Sequence, residues 1–237
     1  MVVTVHPEAT AERLRPAVSL LGVHLTAGGR RWLLDLLPDD PGADAPGDRA
    51  AALSAALDDA AGDPARTVAA HGTAGIGALR SGAVPGDLVL TVGPPAATAA
   101  VGLRLRAWGV GHVTLPTGPS GPTSPVAPHP AAEAVLPPAH DLREAAETLA
   151  ALGSALAATP ARAGVAQTGD RGEVCITCAD EAVVAEVTDV LGPSEAMVRT
   201  PDGTVLVDTT LVDALQVHDL VLVHARTAIT QLDPDRR

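Results

Sequence analysis

The sequence predicts an α/β unit built on a parallel sheet, followed by a small all-β barrel. Three observations lead there. Up to about residue 115, short apolar runs of strand length alternate with longer Ala/Leu-rich segments of helical spacing. That βαβ rhythm calls for a parallel sheet with helices packed on it. After residue 172 only short runs remain, broken by turn residues at a spacing of roughly 8–12 residues, which reads as a closed or half-closed barrel. Between the two lie residues 116–139, with eight prolines in 24 positions, and residues 159–172, which are small and polar. Proline removes a backbone donor and favours extended chain, so both stretches read as loop or spacer.

Taken in order, residues 48–61 form an Ala/Leu helix opening on acidic Asp48. Residues 66–70 read as a short strand and residues 74–80 as a turn or two of helix. Residues 87–92, DLVLTV, are a buried strand. Residues 96–108 are a helix with Val101, Leu105 and Trp108 at helical spacing, and residues 111–115, GHVTL, are a strand. Residues 141–158 close the unit as a helix, with Asp141 and Glu144 spaced as a capping box. Beyond it, residues 173–177, 182–190, 196–200, 204–207 and 220–224 read as strands. The stretch before residue 45 yields no clear element. The expected division is a domain over 1–158, a linker over 159–172 and a barrel over 173–237.

Composition narrows the function. The chain of 237 residues is 46% apolar, enough for a core, but contains no Phe, Tyr, Lys or Asn. Its basic residues are all Arg, with 23 Gly and 21 Pro, as a GC-rich coding sequence produces, so weak motifs of these residues are discounted. Trp32 and Trp108 are the aromatics, so Leu, Val and Ala must fill the core. Net charge is −12. From Glu173 onward twelve acids face four arginines, −8 of that total. Such a field repels phosphate backbones, which argues against nucleic acid, and suits a protein partner with a basic face. No apolar run approaches the roughly 18 residues of a membrane helix. No basic segment followed by an apolar one opens the chain as a signal peptide would, so a cytoplasmic protein is expected. Two cysteines in that setting read as free thiols or metal ligands.

The candidate chemistry lies late in the chain. Cys175, Cys178 and His224 are ligand types suited to borderline metals, iron included. A lone C-x-x-C lacks the further ligands of a zinc site. A thioredoxin-type pair would open a helix, whereas ADEAVVAEV leads into a strand. Cys178 by itself reads as a bystander thiol. His224 sits in a valine-rich strand, on the face shared with Leu222 and Arg226.

The run CITCADEA from Cys175 is similar to the N-terminal motif of the HypC/HupF hydrogenase-maturation proteins. The run VHDLVLVHA at 217–225, followed by Ala228 and Ile229, resembles that family's most recognisable stretch. The resemblance covers about residues 173–234 and implies an OB-like barrel acting as a chaperone rather than an enzyme. It implies a HypD-type maturation protein and the precursor of a [NiFe]-hydrogenase large subunit as partners. Iron, as a transient Fe(CN)2CO group, is the implied cargo. The family's essential cysteine maps to Cys175 and its histidine to His224, with Cys178 as an additional ligand and Asp219 as a partner-binding residue. In the family the cysteine follows the initiator methionine, whereas Cys175 is internal. Ala225 and His218 stand where glycines are usual.

A second resemblance involves residues 50–118. The run SGAVPGDLVLTV at 81–92, with GPPAAT and a helix after it, is similar to the second half of a sugar isomerase (SIS) domain of the phosphoheptose-isomerase kind. It implies an SIS-like parallel sheet with flanking helices, a homodimer, and a hydroxyl-rich loop holding a sugar phosphate at a helix N-terminus. Here that loop keeps Thr98 and Thr91 but has two prolines, so the domain reads as a degenerate docking scaffold. The alternative reading is a sugar-phosphate-binding or isomerase-like domain, with His71 and His112 as acid/base groups. A non-catalytic adaptor is the third reading.

Overall fold

The structure is a computed structural model and describes residues 7–26, 28–38, 47–62, 67–118, 132–159 and 182–232. The chain divides into two compact units. One comprises Met1–Gly102 with Gly111–Ala161, the other Leu103–Val110 with Arg162–Arg237.

The first unit runs α1 (Pro7–Thr26), β1 (Arg31–Asp35), α2 (Asp48–Ala61), β2 (Thr67–His71), α3 (Gly72–Gly82), β3 (Leu88–Gly93), the first part of α4 (Pro95–Ala107, whose residues from Leu103 on belong to the second unit), β4 (Gly111–Pro116), β5 (Ala134–Val135) and α5 (Leu142–Ala158). Its sheet has the order β2-β1-β3-β4-β5 and every pairing is parallel. β3 is apolar almost throughout, and β1 is apolar over Trp32, Leu33 and Leu34, because both are central and covered on both faces. One face packs Leu33, Leu88, Leu90, Val92, Val113 and Leu115 against α1, α2 and α5. On the other, Trp32 and Leu34 meet α3, where Gly75 and Gly82 let the helix approach.

The second half of this sheet follows the sequence reading within a residue or two. Three departures stand out. α1 and β1 fill the stretch that yields no element by pattern. α3 extends beyond 74–80 at both ends. The proline-rich stretch contains β5, and an isolated bridge pairs Thr117 with Ala139. The cap of α5 forms as expected, with Asp141 accepting from the Glu144 amide at 2.9 Å. Glu144 reaches back to the His140 amide instead of that of the cap itself.

In the second unit, β6 (Val183–Val190), β7 (Glu195–Thr200), β8 (Gly203–Asp208), β9 (Leu220–His224) and β10 (Thr227–Leu232) close into a barrel of order β10-β8-β7-β6-β9. Closure removes free edges, which a core of small residues needs. That core is Ala185, Val187, Ala196, Val198, Val207, Val221, Val223 and Ala228. β10 is a strand the pattern reading lacks. The strand expected over 173–177 lies outside the described residues. Within this unit the buried Glu186 carboxylate accepts from the Trp108 indole at 2.5 Å, with Arg104 and His218 each 3.4 Å away. Arg199 covers the Trp108 ring.

Candidate functional site

A doubly wound sheet places its natural crevice where successive crossovers leave in opposite directions, outside the carboxyl ends of the strands. Here the chain leaves β1 toward β2 and returns to β3 beyond it, so the switch point lies between β1 and β3. At the same carboxyl ends, but on the β2 side of β1, stand Asp35, the last residue of β1, and His71, the last residue of β2, in register with one another. Asp35 is fully buried. One of its oxygens accepts from Arg49 Nε at 2.6 Å and lies 3.2 Å from His71 Nδ1, while the other caps the Leu37 amide at 2.9 Å. Arg49 also donates to the carbonyls of Leu37 and Pro38, fixing the loop after β1. A carboxylate only accepts, so His71 carries its proton on Nδ1 and its basic nitrogen is Nε2. α3 begins at the next residue, and its N-cap His71 makes no side-chain bond to the helix amides. A guanidinium and an imidazole thus converge on one buried carboxylate beside the N-terminus of α3, and the partial positive charge of that helix end is the feature that favours an anion.

The turn after β3 is different. Pro94 and Pro95 bring no amide donors, and Thr98 is buried with its hydroxyl donating to the Pro95 carbonyl at 3.0 Å. Thr91 is buried against His112 Nε2 at 2.8 Å, so His112 is a core residue of β4. Gly93 lies against Leu36, where a Cβ would come within 2.8 Å of the Leu36 Cβ. This loop packs and does not cradle. A shallow depression at the opposite end of β2 is lined by Ser54, Asp58 and Thr67, among others. Asp58 there is committed to Arg31 at 2.8 Å and to Thr67 at 2.5 Å.

Of the residues expected to handle iron, Cys175 and Cys178 lie outside the described residues. His224 ends β9. Since Val221 and Val223 point into the barrel core, His224 lies on the outer face, half-buried and in register with Thr227. Arg226 does not share that face as a strand residue. It occupies the β9–β10 turn with φ of 64°. Asp219 serves local structure by accepting from the Gln216 amide at 2.7 Å and from Gln231 at 3.0 Å. Among the described residues no group of three or more His, Cys, Asp or Glu is placed to hold a metal ion. No described helix is long and apolar enough to cross a membrane.

Strand order and crossovers define a doubly wound α/β unit with a buried polar cluster at the carboxyl ends of β1 and β2, joined in sequence to a closed barrel. No protein-family model and no curated protein matches the chain, so the HypC/HupF resemblance gains no support there. Among solved structures, a phosphoheptose isomerase from Francisella tularensis is similar at TM-score 0.40 and 11% identity, over 63% of this chain and 86% of that one. A protein assigned as sugar binding from Salmonella typhimurium LT2 is similar at TM-score 0.36 and 15% identity. That match covers 62% of this chain, which spans about half of the Salmonella protein's length (46%). Sequence reasoning named His71 as an acid/base candidate but missed Asp35 and Arg49. The signal that could have found them is an acid at the end of a buried strand, and that strand was itself missed.

Proposed function

We propose that the sheet unit binds a small anionic metabolite of the sugar-phosphate class at the carboxyl ends of β1 and β2. The observation that carries this reading is the start of α3, where the N-cap His71 makes no side-chain cap bond, beside the Asp35–Arg49 pair. The SIS-type resemblance supplies the ligand class, while the prolines after β3 move the anion from the family's loop to the N-terminus of α3. The function is binding and not turnover, since the β3 turn offers no second set of donors to orient a sugar for chemistry. Thermal melts with ribose 5-phosphate, sedoheptulose 7-phosphate and inorganic phosphate test it. A sugar phosphate should raise the wild-type Tm, and His71→Ala should lose the rise. No shift at millimolar ligand would sink the reading.

A second reading concerns the barrel. Residues 183–232 form a closed five-stranded barrel in which the HypC/HupF-like run becomes the β9–β10 hairpin, with His224 just before its turn. On this reading the barrel serves a HypD-type protein and a hydrogenase large-subunit precursor. Cys175 supplies a thiolate to the Fe(CN)2CO cargo, His224 assists, and Cys178 and Asp219 are secondary. Anaerobic co-purification with a HypD-type partner, followed by infrared spectroscopy, decides it. Cyanide and carbonyl bands in wild type that vanish in Cys175→Ala support it, and absence of both complex and bands overturns it.

A further inference from the structure

We propose that the outer face of the barrel where β8 meets β10 is a docking surface for a cationic, amphipathic segment of a protein partner. The inference stands apart from both functional readings, since it uses neither the crevice nor Cys175. Strand alternation identifies the surface. Val207 and Ala228 belong to the barrel core, so their neighbours Leu206, Asp208 and Thr227 face outward, and Ile229, at the bulge in β10, is exposed as well. β8 and β10 run parallel and pair at Asp208 and Thr227. Leu206 lies two residues before that point and Ile229 two residues after it. At about 3.3 Å per residue, an exposed apolar side chain lies about 7 Å to either side of the carboxylate. Leu206 is 43% exposed and Ile229 42%, and Leu211, just past the end of β8, is 66% exposed.

The charge at the centre of this strip is unbalanced. Directly across from Asp208, on β7, stands Glu195, and both are exposed. Like charges opposite one another in an antiparallel pair destabilise the sheet. Two bonds from Thr210 hold the Asp208 carboxyl below its ordinary value, so it stays ionised. Arg226 is close by, with its backbone carbonyl accepting from the Asp208 amide. Over residues 182–232, seven acids against two arginines leave −5. An occupant with a cation between two apolar groups would relieve the repulsion and cover Leu206 and Ile229 together. A second copy of this face would bring the same carboxylates against each other, which excludes self-association through it.

The test is fluorescence anisotropy of the full chain with a labelled leucine–lysine amphipathic peptide and its leucine–glutamate counterpart. The lysine peptide should bind and the glutamate peptide should not. Leu206→Ser with Ile229→Ser should weaken binding at least about ten-fold, with circular dichroism confirming an intact fold. Glu195→Gln should weaken binding several-fold at low salt while raising the Tm of the free protein, a pair of opposite signs that a merely structural role would not produce. Equal affinity for both peptides, or unchanged affinity in the serine variant, overturns the proposal. So does a concentration-dependent dimer that the serine variant abolishes, because that assigns the face to a second copy.

Discussion

Asp87 is 2% exposed and yet accepts hydrogen bonds from the Trp32 indole, the Arg30 amide and guanidinium, and the Val84 amide. Burial alone pushes its carboxyl up, but these bonds, led by that of Trp32, outweigh it and hold the carboxyl below its ordinary value of 3.8. A lowered carboxyl stabilises the fold above its unfolded value, and that contribution is lost as pH falls through the folded one. The expected outcome is a stability that declines below about pH 4, less steeply in Asp87→Asn. Asp87→Ala, which leaves buried donors without an acceptor, should cost about 3 kcal/mol at neutral pH in urea denaturation. Equal acid sensitivity in Asp87→Asn and wild type would refute the assignment. The sequence shows Asp87 opening a buried strand, but its partners Arg30 and Trp32 lie 55 or more positions away, and no local pattern connects them.

At the scale of elements, α2 and α5 pack so closely that Gly153 has no room for a side chain. A Cβ there would lie 2.6 Å from the Leu57 carbonyl and 2.8 Å from the Ala60 Cβ. Helix propensity favours alanine over glycine by about 1 kcal/mol. Overpacking against backbone costs about 1–3 kcal/mol, so Gly153→Ala should destabilise on balance. A melt in which the variant gains stability would show that the helices separate easily. The helices themselves are legible because α2 and α5 repeat Ala and Leu at helical spacing, and α5 announces its start with Asp141 and Glu144. β1 escaped notice because RWLLD is five residues long and flanked by charge, with Arg31 and Asp35 buried only through Asp58, Arg49 and His71. β10 escaped because TAITQL has one inward residue, Ala228, before its register shifts beside β9.

For the whole molecule, net charge dominates. At −12 over 237 residues the folded chain repels itself, and screening relieves this. Raising salt from low to physiological strength should therefore raise the Tm, and the protein should pass through a heparin column unretained. Retention would contradict the charge argument against nucleic acid. Neither result depends on which functional reading holds.

The sequence by itself determined the order of structure types. Alternating periodicities of 3.6 and 2 are local and survive without knowledge of neighbours, so a parallel α/β unit followed by a barrel could be read directly. It also placed His224 in a strand and showed two prolines in the loop after β3. The tertiary structure decided which residues meet. Strand order brings Asp35 and His71 side by side from positions 36 apart, and the first turn of α2 adds Arg49. Barrel closure places Asp208 beside Thr227, from positions 19 apart. These contacts come from pairing between distant segments, which hydrophobic period does not encode, and both the candidate crevice and the acidic docking face are built from them.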